Sequence, residues 1–118
     1  MINIVIIDDN ILTADGIREN INWEQFSCNV IGTFYDAKSA ITFLESNYVN
    51  IIISDIKMPG LSGLELSDLA LKKQPDVKII LISAYSEFQY AKKALRLGVF
   101  DFIEKPIDYI ELSVVLQK

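Results

Sequence analysis

Short apolar runs recur along the chain, and each ends at a polar or charged residue. In the clearest case, four apolar or small residues lead directly into Asp55, and Pro59 and Gly60 then turn the backbone. A continuous apolar run of this kind predicts a strand that is buried on both faces of a parallel sheet. Five strands are predicted in this way, over residues 3–7, 28–34, 51–55, 78–82 and 101–103.

Between these runs, apolar residues recur at helical spacing behind residues that favour helix N-termini. In the first such segment, Ala14, Ile17 and Ile21 would lie on one inward face. Two of the helix starts pair a serine with Glu or Gln three residues later, which is the capping-box pattern. The five predicted helices begin at Asn10, Asp36, Ser62, Ser86 and Asp108.

Strands and helices alternate strictly, and this order predicts one α/β domain with a parallel five-stranded sheet and helices on both faces. A length of 118 residues is enough for one core and too short for two. The doubly wound, flavodoxin-like strand order 2-1-3-4-5 fits this length. Asn29 and Gly32 make the second strand more mixed, as expected of an edge strand.

Composition and charge restrict the possible functions. The formal net charge is −5, so no general attraction to nucleic-acid phosphates is expected. There is no histidine, which excludes Ser-His-Asp and Cys-His catalysis and histidine metal sites. Cys28 is the single cysteine, so no intrachain disulfide can form. With no signal-peptide pattern and no apolar stretch of membrane-spanning length, the sequence predicts a soluble, acidic, cytoplasmic domain.

Polar residues follow four of the five predicted strands at the same edge of the sheet. They are Asp8 with Asp9 after the first strand, Asp55 after the third, Ser83 after the fourth and Lys105 after the fifth. The carboxyl ends of parallel strands are where open α/β sheets bind ligands. Each residue alone is ordinary, as a helix cap, a turn residue or a solvated lysine. Their coincidence at one edge favours a functional site.

The residue types at this edge suit a divalent cation and a phosphoryl group. Three converging carboxylates raise one another's pKa values, and a hard cation such as Mg²⁺ relieves the repulsion. A lysine charge and a serine hydroxyl are matched to phosphoryl oxygens. A carboxylate nucleophile beside Mg²⁺ and a lysine is the arrangement that forms an acyl phosphate, and Asp55 is the candidate nucleophile.

With these residues identified, the sequence resembles the receiver domains of two-component response regulators over essentially its whole length. The resemblance implies a phosphoacceptor signalling domain over residues 1–118, which is not an enzyme beyond catalysing its own phosphorylation and dephosphorylation. The motifs that carry it are Asp8-Asp9, Asp55 with Lys57-Met58-Pro59-Gly60, Ser83-Ala84 and Lys105-Pro106.

The resemblance implies a role for each acidic residue. Asp55 would accept a phosphoryl group from the phosphohistidine of a sensor histidine kinase. Asp9, Asp55 and the backbone carbonyl of Lys57 would ligate Mg²⁺, with Asp8 nearby, often acting through water.

It also implies roles for residues on the last two strands. Ser83 and Lys105 would hold the phosphoryl group and report its presence, with a cis bond before Pro106 that turns Lys105 inward. Phe102 matches the aromatic switch residue of the family, although a simple core role explains it equally well. Two departures are that Phe102 replaces the commoner tyrosine and that Asn10 stands where many members carry a third acid.

A finer resemblance links segments 22–24, 55–60 and 83–91 to receivers joined to AraC-type helix-turn-helix domains. It implies the regulatory part of a transcription factor, with the DNA-binding output domain absent from this chain. The fourth helix, fifth strand and fifth helix are predicted to form a charged face that pairs with a partner or a second copy, although a solvated surface explains it nearly as well. That face contains Lys92, Lys93, Arg96, Asp101, Glu104, Tyr109 and Glu111.

Two other functions compete with this interpretation. One is a Mg²⁺-dependent phosphohydrolase with an aspartyl-phosphate intermediate, which typically needs an acid two residues beyond the nucleophile. Lys57 occupies that position here. The other is a stand-alone receiver that docks on a protein target without any DNA-binding domain.

Overall fold

The computed structural model describes residues 1–83, 98 and 100–117, with Phe102 described by its backbone alone. The five strands are β1 Ile2–Ile7, β2 Cys28–Phe34, β3 Ile51–Asp55, β4 Lys78–Ser83 and β5 Asp101–Glu104. The described helices are α1 Ile11–Asn20, α2 Ala37–Leu44, α3 Gly63–Lys73 and the last helix, Tyr109–Leu116, with a 3-10 turn at Trp23–Phe26. The helix predicted to begin at Ser86 lies outside the described residues.

The strands form one parallel sheet in the order β2-β1-β3-β4-β5. This confirms the predicted doubly wound α/β fold, including the edge position of β2. It also places β3 in the centre of the sheet, between β1 and β4. The carboxyl end of β3 is therefore flanked by strand ends on both sides.

Each face of the sheet carries its own apolar layer because alternate strand residues point in opposite directions. On one face, strand residues such as Val5 and Ile52 pack with α2 and α3, and we call this the α2–α3 layer. On the other, residues such as Ile6 and Ile53 pack with α1 and the last helix, and we call this the α1 layer. Covering both faces buries every residue of β3, which explains why its sequence is a continuous apolar run.

The polar residues predicted to start the described helices do so. Asn10, Asp36 and Asp108 accept hydrogen bonds from backbone N–H groups in the first turn of their helices. Ser62 and Glu65 form the predicted capping box at the start of α3. These caps determine where the chain leaves the loops at the carboxyl edge of the sheet and enters each helix.

The pairing of β1 with β2 shifts by one residue at Ile31, which is skipped in the register and forms a β-bulge. Val30, before the bulge, packs on the α1 layer. Phe34, after it, packs on the α2–α3 layer, where its ring centroid lies 5.2 Å from that of Phe43. The apolar pattern of β2 did not predict this bulge.

The longest described helix, α3, has 11 residues. No helix in the part of the chain that the structure describes is long and apolar enough to cross a membrane.

Candidate functional site

Four strand ends bring the predicted site residues to one edge of the sheet. Asp8 directly follows β1, Asp55 and Ser83 are the last residues of β3 and β4, and Lys105 directly follows β5. Asp55 pairs with Ile82, so Ser83 lies one residue further along the neighbouring strand. The central position of β3 places Asp55 in the middle of this group.

The three aspartates form a compact cluster. Asp8, Asp9 and Asp55 each offer a carboxylate oxygen, and these oxygens lie within 4.8 Å of one another. Their exposure differs, since Asp8 is 0% and Asp55 5% exposed, whereas Asp9 is open to solvent. The cluster is therefore buried on the side of the sheet and accessible from the side of Asp9.

Lys105 supplies the positive charge of the site. Its Nζ lies 3.4 Å from Oδ2 of Asp55 and 3.5 Å from Oδ2 of Asp8. The peptide bond between Lys105 and Pro106 is cis, as the family resemblance implied. Burial lowers the pKa of Lys105, but the charges of Asp8 and Asp55 outweigh it and raise the pKa above its ordinary value. Lys105 is therefore cationic at neutral pH.

Asp8 is fully buried, and its charge is only partly compensated. Its Oδ1 accepts a hydrogen bond from the backbone N–H of Asn10 at 2.9 Å. Its Oδ2 is buried and accepts no hydrogen bond from the described residues, and at 3.5 Å the contact with Lys105 is an ion pair. Burial raises the pKa of Asp8 and nearby Asp9 adds to the rise, while Asn10 and Lys105 oppose it.

These residues could hold a metal ion. The carboxylates of Asp8, Asp9 and Asp55 and the ammonium of Lys105 together carry a net charge of −2 when all are ionised, which a divalent cation would balance. The buried Oδ2 of Asp8 accepts no hydrogen bond from the described residues, so it retains the capacity to accept one from a water molecule bound to the ion. Carboxylate oxygens are the ligands that hard cations prefer, and a partly open site suits an ion that keeps waters. Lys57, whose carbonyl is the further predicted ligand, lies exposed two residues past β3.

The backbone behind Asp55 is held by α3, which sequence reasoning did not predict. The N–H of Ile56 donates to Ile82 O at 3.0 Å, and the carbonyl of Ile56 accepts from the N–H of Gly63 at 2.6 Å. The hydroxyl of buried Ser67 in turn donates to Gly63 O at 2.6 Å. A glycine directly after the capping serine was the one sequence signal for this close approach.

Several predicted residues could be only partly placed. Phe102 in β5 pairs through its backbone with Leu81 of β4. The side chain of Phe102 lies outside the described part of the structure. Glu104 and Glu111 are exposed, while Asp101 is half-buried. Within the predicted charged face, Lys92, Lys93 and Arg96 lie outside the described residues.

Tyr109, a further residue of the predicted charged face, is half-buried. It packs on the α1 layer, and its hydroxyl lies so close to Gly16 of α1 that an added Cβ there would stand 2.8 Å away. A half-buried aromatic ring with this contact is part of the packing between the last helix and α1.

Comparison with known proteins identifies the family. The response regulator receiver domain model matches residues 4–117, and the chain belongs to this family of signalling domains. The transcriptional regulatory protein HptR of Staphylococcus aureus is 32% identical over 117 residues, covering 98% of this chain and 45% of that protein. The chain thus spans about half the length of the curated relatives it matches.

Solved structures give the same result. A two-component transcriptional regulator AraC from Clostridium phytofermentans is 37% identical, with a TM-score of 0.92 over 99% of this chain and 91% of that one. The receiver domain of AraT, a response regulator from Geobacillus stearothermophilus, is 35% identical, with a TM-score of 0.91 over 97% of this chain and 88% of that one. The predicted resemblance to response regulators of the AraC type is confirmed.

Proposed function

We propose that Asp55 accepts a phosphoryl group from the phosphohistidine of a sensor histidine kinase, in a Mg²⁺-dependent reaction that switches an output. The proposal rests on one observation. The buried carboxylate of Asp55 lies 3.4 Å from the ammonium of Lys105 and within 4.8 Å of carboxylate oxygens of Asp8 and Asp9. A nucleophilic carboxylate, a cation site and a fixed ammonium are the groups that phosphoryl transfer to an aspartate requires.

In the transfer, a carboxylate oxygen of Asp55 attacks phosphorus. The new P–O bond forms as the P–N bond to the kinase histidine breaks, and the imidazole nitrogen keeps the bonding electron pair. Lys105 exchanges its contacts with Asp8 and Asp55 for the phosphoryl oxygens, and the hydroxyl of Ser83 donates to them. Asp9, Asp55 and the Lys57 carbonyl would hold Mg²⁺, with Asp8 bonded through water. When bound, the ion supplies positive charge that offsets the repulsion between carboxylate and phosphate.

The output of the switch is proposed to lie outside residues 1–118. Movement of Ser83 toward the phosphoryl group would be coupled to Phe102, so that phosphorylation biases a two-state arrangement of the neighbouring surface. Transcriptional regulation is the named function of HptR and of the AraC regulator from Clostridium phytofermentans, which supports the proposal of an AraC-type DNA-binding domain in the same polypeptide. A cytoplasmic location is proposed with it, because that is where a regulator of this kind meets DNA. The charged face that includes Lys93 and Arg96 would then mediate phosphorylation-dependent pairing of two copies.

The test is the intact mass of the chain after incubation with Mg²⁺ and acetyl phosphate, beside Asp55→Asn. We expect one added phosphoryl group on the wild type alone, removed by hydroxylamine and absent when EDTA replaces Mg²⁺. No adduct and no donor turnover would contradict the proposal and indicate a receiver that regulates by binding alone. Rapid donor turnover without an adduct would favour the phosphohydrolase.

A further inference from the structure

Gly63, the first residue of α3, lies directly against the backbone that carries Asp55. A Cβ built on Gly63 would collide with the carbonyl oxygen of Asp55 and would stand 2.8 Å from Cα of Ile56. Real Cβ atoms do not approach backbone atoms this closely, so either β3 or α3 would have to move. Gly63 itself is buried, which leaves a side chain no open direction.

Hydrogen bonds also hold Ile56, the residue that follows Asp55, in place between β4 and α3. The N–H of Ile56 is bonded to β4 and its carbonyl to the N–H of Gly63, so both polar groups of this residue are held. Asp55 precedes Ile56 and Lys57 follows it. The carboxylate of Asp55 and the carbonyl of Lys57 therefore belong to the residues on either side of Ile56, whose backbone is hydrogen-bonded to both β4 and α3.

Ser67 supports Gly63 from inside the helix. Ser67 is 0% exposed and its hydroxyl donates to the carbonyl of Gly63, four residues earlier. A hydroxyl bonded in this way adjusts the geometry of the local helical turn. The first turn of α3 thus presents a fixed backbone surface to Asp55 and Ile56.

We propose that Gly63 is a positioning residue of the metal and phosphoryl site, because the absence of a side chain at the start of α3 sets the positions of Asp55 and the Lys57 carbonyl. The inference rests on the proposed function. It predicts that bulk at residue 63 weakens Mg²⁺ binding and phosphorylation without changing any group that contacts the ion. Groups that orient metal ligands from the outer shell typically control affinity by about 10- to 100-fold, and we expect an effect in this range.

The test compares Gly63→Ala with Ala70→Gly. Ala70 is a buried residue of the same helix, and its replacement by glycine weakens α3 without adding atoms beside β3. The Mg²⁺ dissociation constant is measured by isothermal titration calorimetry at a temperature where circular dichroism shows both variants folded. The rate of phosphorylation by acetyl phosphate at saturating Mg²⁺ is the second measurement.

We expect weaker Mg²⁺ binding in Gly63→Ala and a dissociation constant close to that of the wild type in Ala70→Gly. Equal dissociation constants in the two variants would overturn the inference. Should Gly63→Ala not fold, Ser67→Ala decides, since a weaker affinity supports the positioning role and an unchanged one overturns it.

The two proposals can fail separately. If the wild type binds Mg²⁺ but is never phosphorylated, the proposed function is wrong, and the Mg²⁺ affinities of the variants still decide the role of Gly63. A wild-type chain that binds no Mg²⁺ would overturn both.

Discussion

The ammonium of Lys105 lies 3.4 Å from Oδ2 of Asp55, so the proposed phosphoryl acceptor is already paired with a cation before any phosphate arrives. The same ammonium lies 3.5 Å from Asp8, which makes Lys105 a shared counter-ion for two buried acids. Incoming phosphoryl oxygens would compete with carboxylates for this charge. Lys105 therefore connects the resting arrangement of the site with the phosphorylated one.

Replacing Lys105 tests this connection. Lys105→Met keeps the length of the side chain and removes its charge, and we expect phosphorylation by acetyl phosphate at saturating Mg²⁺ to slow about 100-fold, as when one fixed donor to a transition-state oxygen is lost. Lys105→Arg, which keeps a cation in different geometry, should give an intermediate rate. A methionine variant as fast as the wild type would exclude a role for the ammonium in the transfer.

Asp8→Asn is expected to stabilise the fold at pH 7 in EDTA. Asp8 is buried with little compensation and its pKa is raised, mainly by burial. Between the ordinary value of 3.8 and the higher pKa in the folded state, the folded chain holds a proton that the unfolded chain has lost. Stability supplied by this group therefore decreases as the pH rises through that window. Asparagine has nearly the same shape and carries no charge to desolvate.

Melting temperatures of the two chains provide the measurement. The advantage of Asp8→Asn should shrink as the pH is lowered from 7 toward 4, and Mg²⁺ should raise the melting temperature of the wild type more than that of the variant. A variant less stable than the wild type at pH 7 in EDTA would show that the Lys105 contact outweighs desolvation.

Gln74 makes a second long-range connection, between the end of α3 and the loop that leads into β3. Its amide nitrogen donates to the carbonyls of Asn47 at 2.8 Å and Leu44 at 3.1 Å, and its Oε1 accepts from Val49 N at 2.9 Å. With net contributions of about 1 kcal/mol for each of these three hydrogen bonds, Gln74→Ala should lower the free energy of unfolding by about 3 kcal/mol. Urea denaturation measures the loss, and exposed Gln25→Ala, expected to change stability by less than about 0.5 kcal/mol, is the control.

Asp36 gives a pH-dependent contribution of the opposite sign to that of Asp8. Its carboxylate accepts from the N–H of Ser39 at 2.7 Å and from its hydroxyl at 2.9 Å, and these bonds lower the pKa of Asp36. The stabilisation is therefore complete above the unfolded pKa of 3.8 and is lost as the pH falls through the lower folded value. Asp36→Ala should cost about 1 kcal/mol at pH 7, as loss of an N-cap does.

The matched variant for this position is Asp36→Asn, which keeps an N-cap acceptor without a titrating group. Urea unfolding at pH 7 and pH 3 should show that the cost of Asp36→Ala decreases at the lower pH, while asparagine stays close to the wild type at pH 7. An alanine variant with the same cost at both values would mean that the charge of Asp36 contributes nothing.

The elements and their caps could be predicted because they depend on residues close together in sequence. The apolar run into Asp55, the capping box of Ser62 with Glu65 and the N-cap at Asn10 are local patterns, and the structure contains all of them. The meeting of Asp8, Asp55 and Lys105 at one edge followed from strand alternation. Their roles in phosphoryl transfer stay predictions.

What the sequence did not predict depends on distances between segments. Asp8 and Asp9 are neighbours with the same side chain, yet one is buried and the other exposed, which only the packing of the loop after β1 decides. The bonds of Gln74 join residues 25 to 30 positions apart. The contact of Gly63 with the Asp55 backbone likewise depends on how closely a helix approaches a strand.

The extra residue at Ile31 reverses the alternation of side chains between the two faces of β2. Val30 and Phe34 are an even number of positions apart and would share a face in a regular strand, but they pack on opposite layers. Tyr35, which follows, donates its hydroxyl to Asp15 of α1 at 2.9 Å. Deleting Ile31 would remove the bulge and would leave Gly32 opposite Val5 and Phe34 opposite Ile7, on the faces that they occupy now. The bulge is therefore the position in β2 at which the loss of one residue should be tolerated best, because the residues on either side of it keep their partners and their faces.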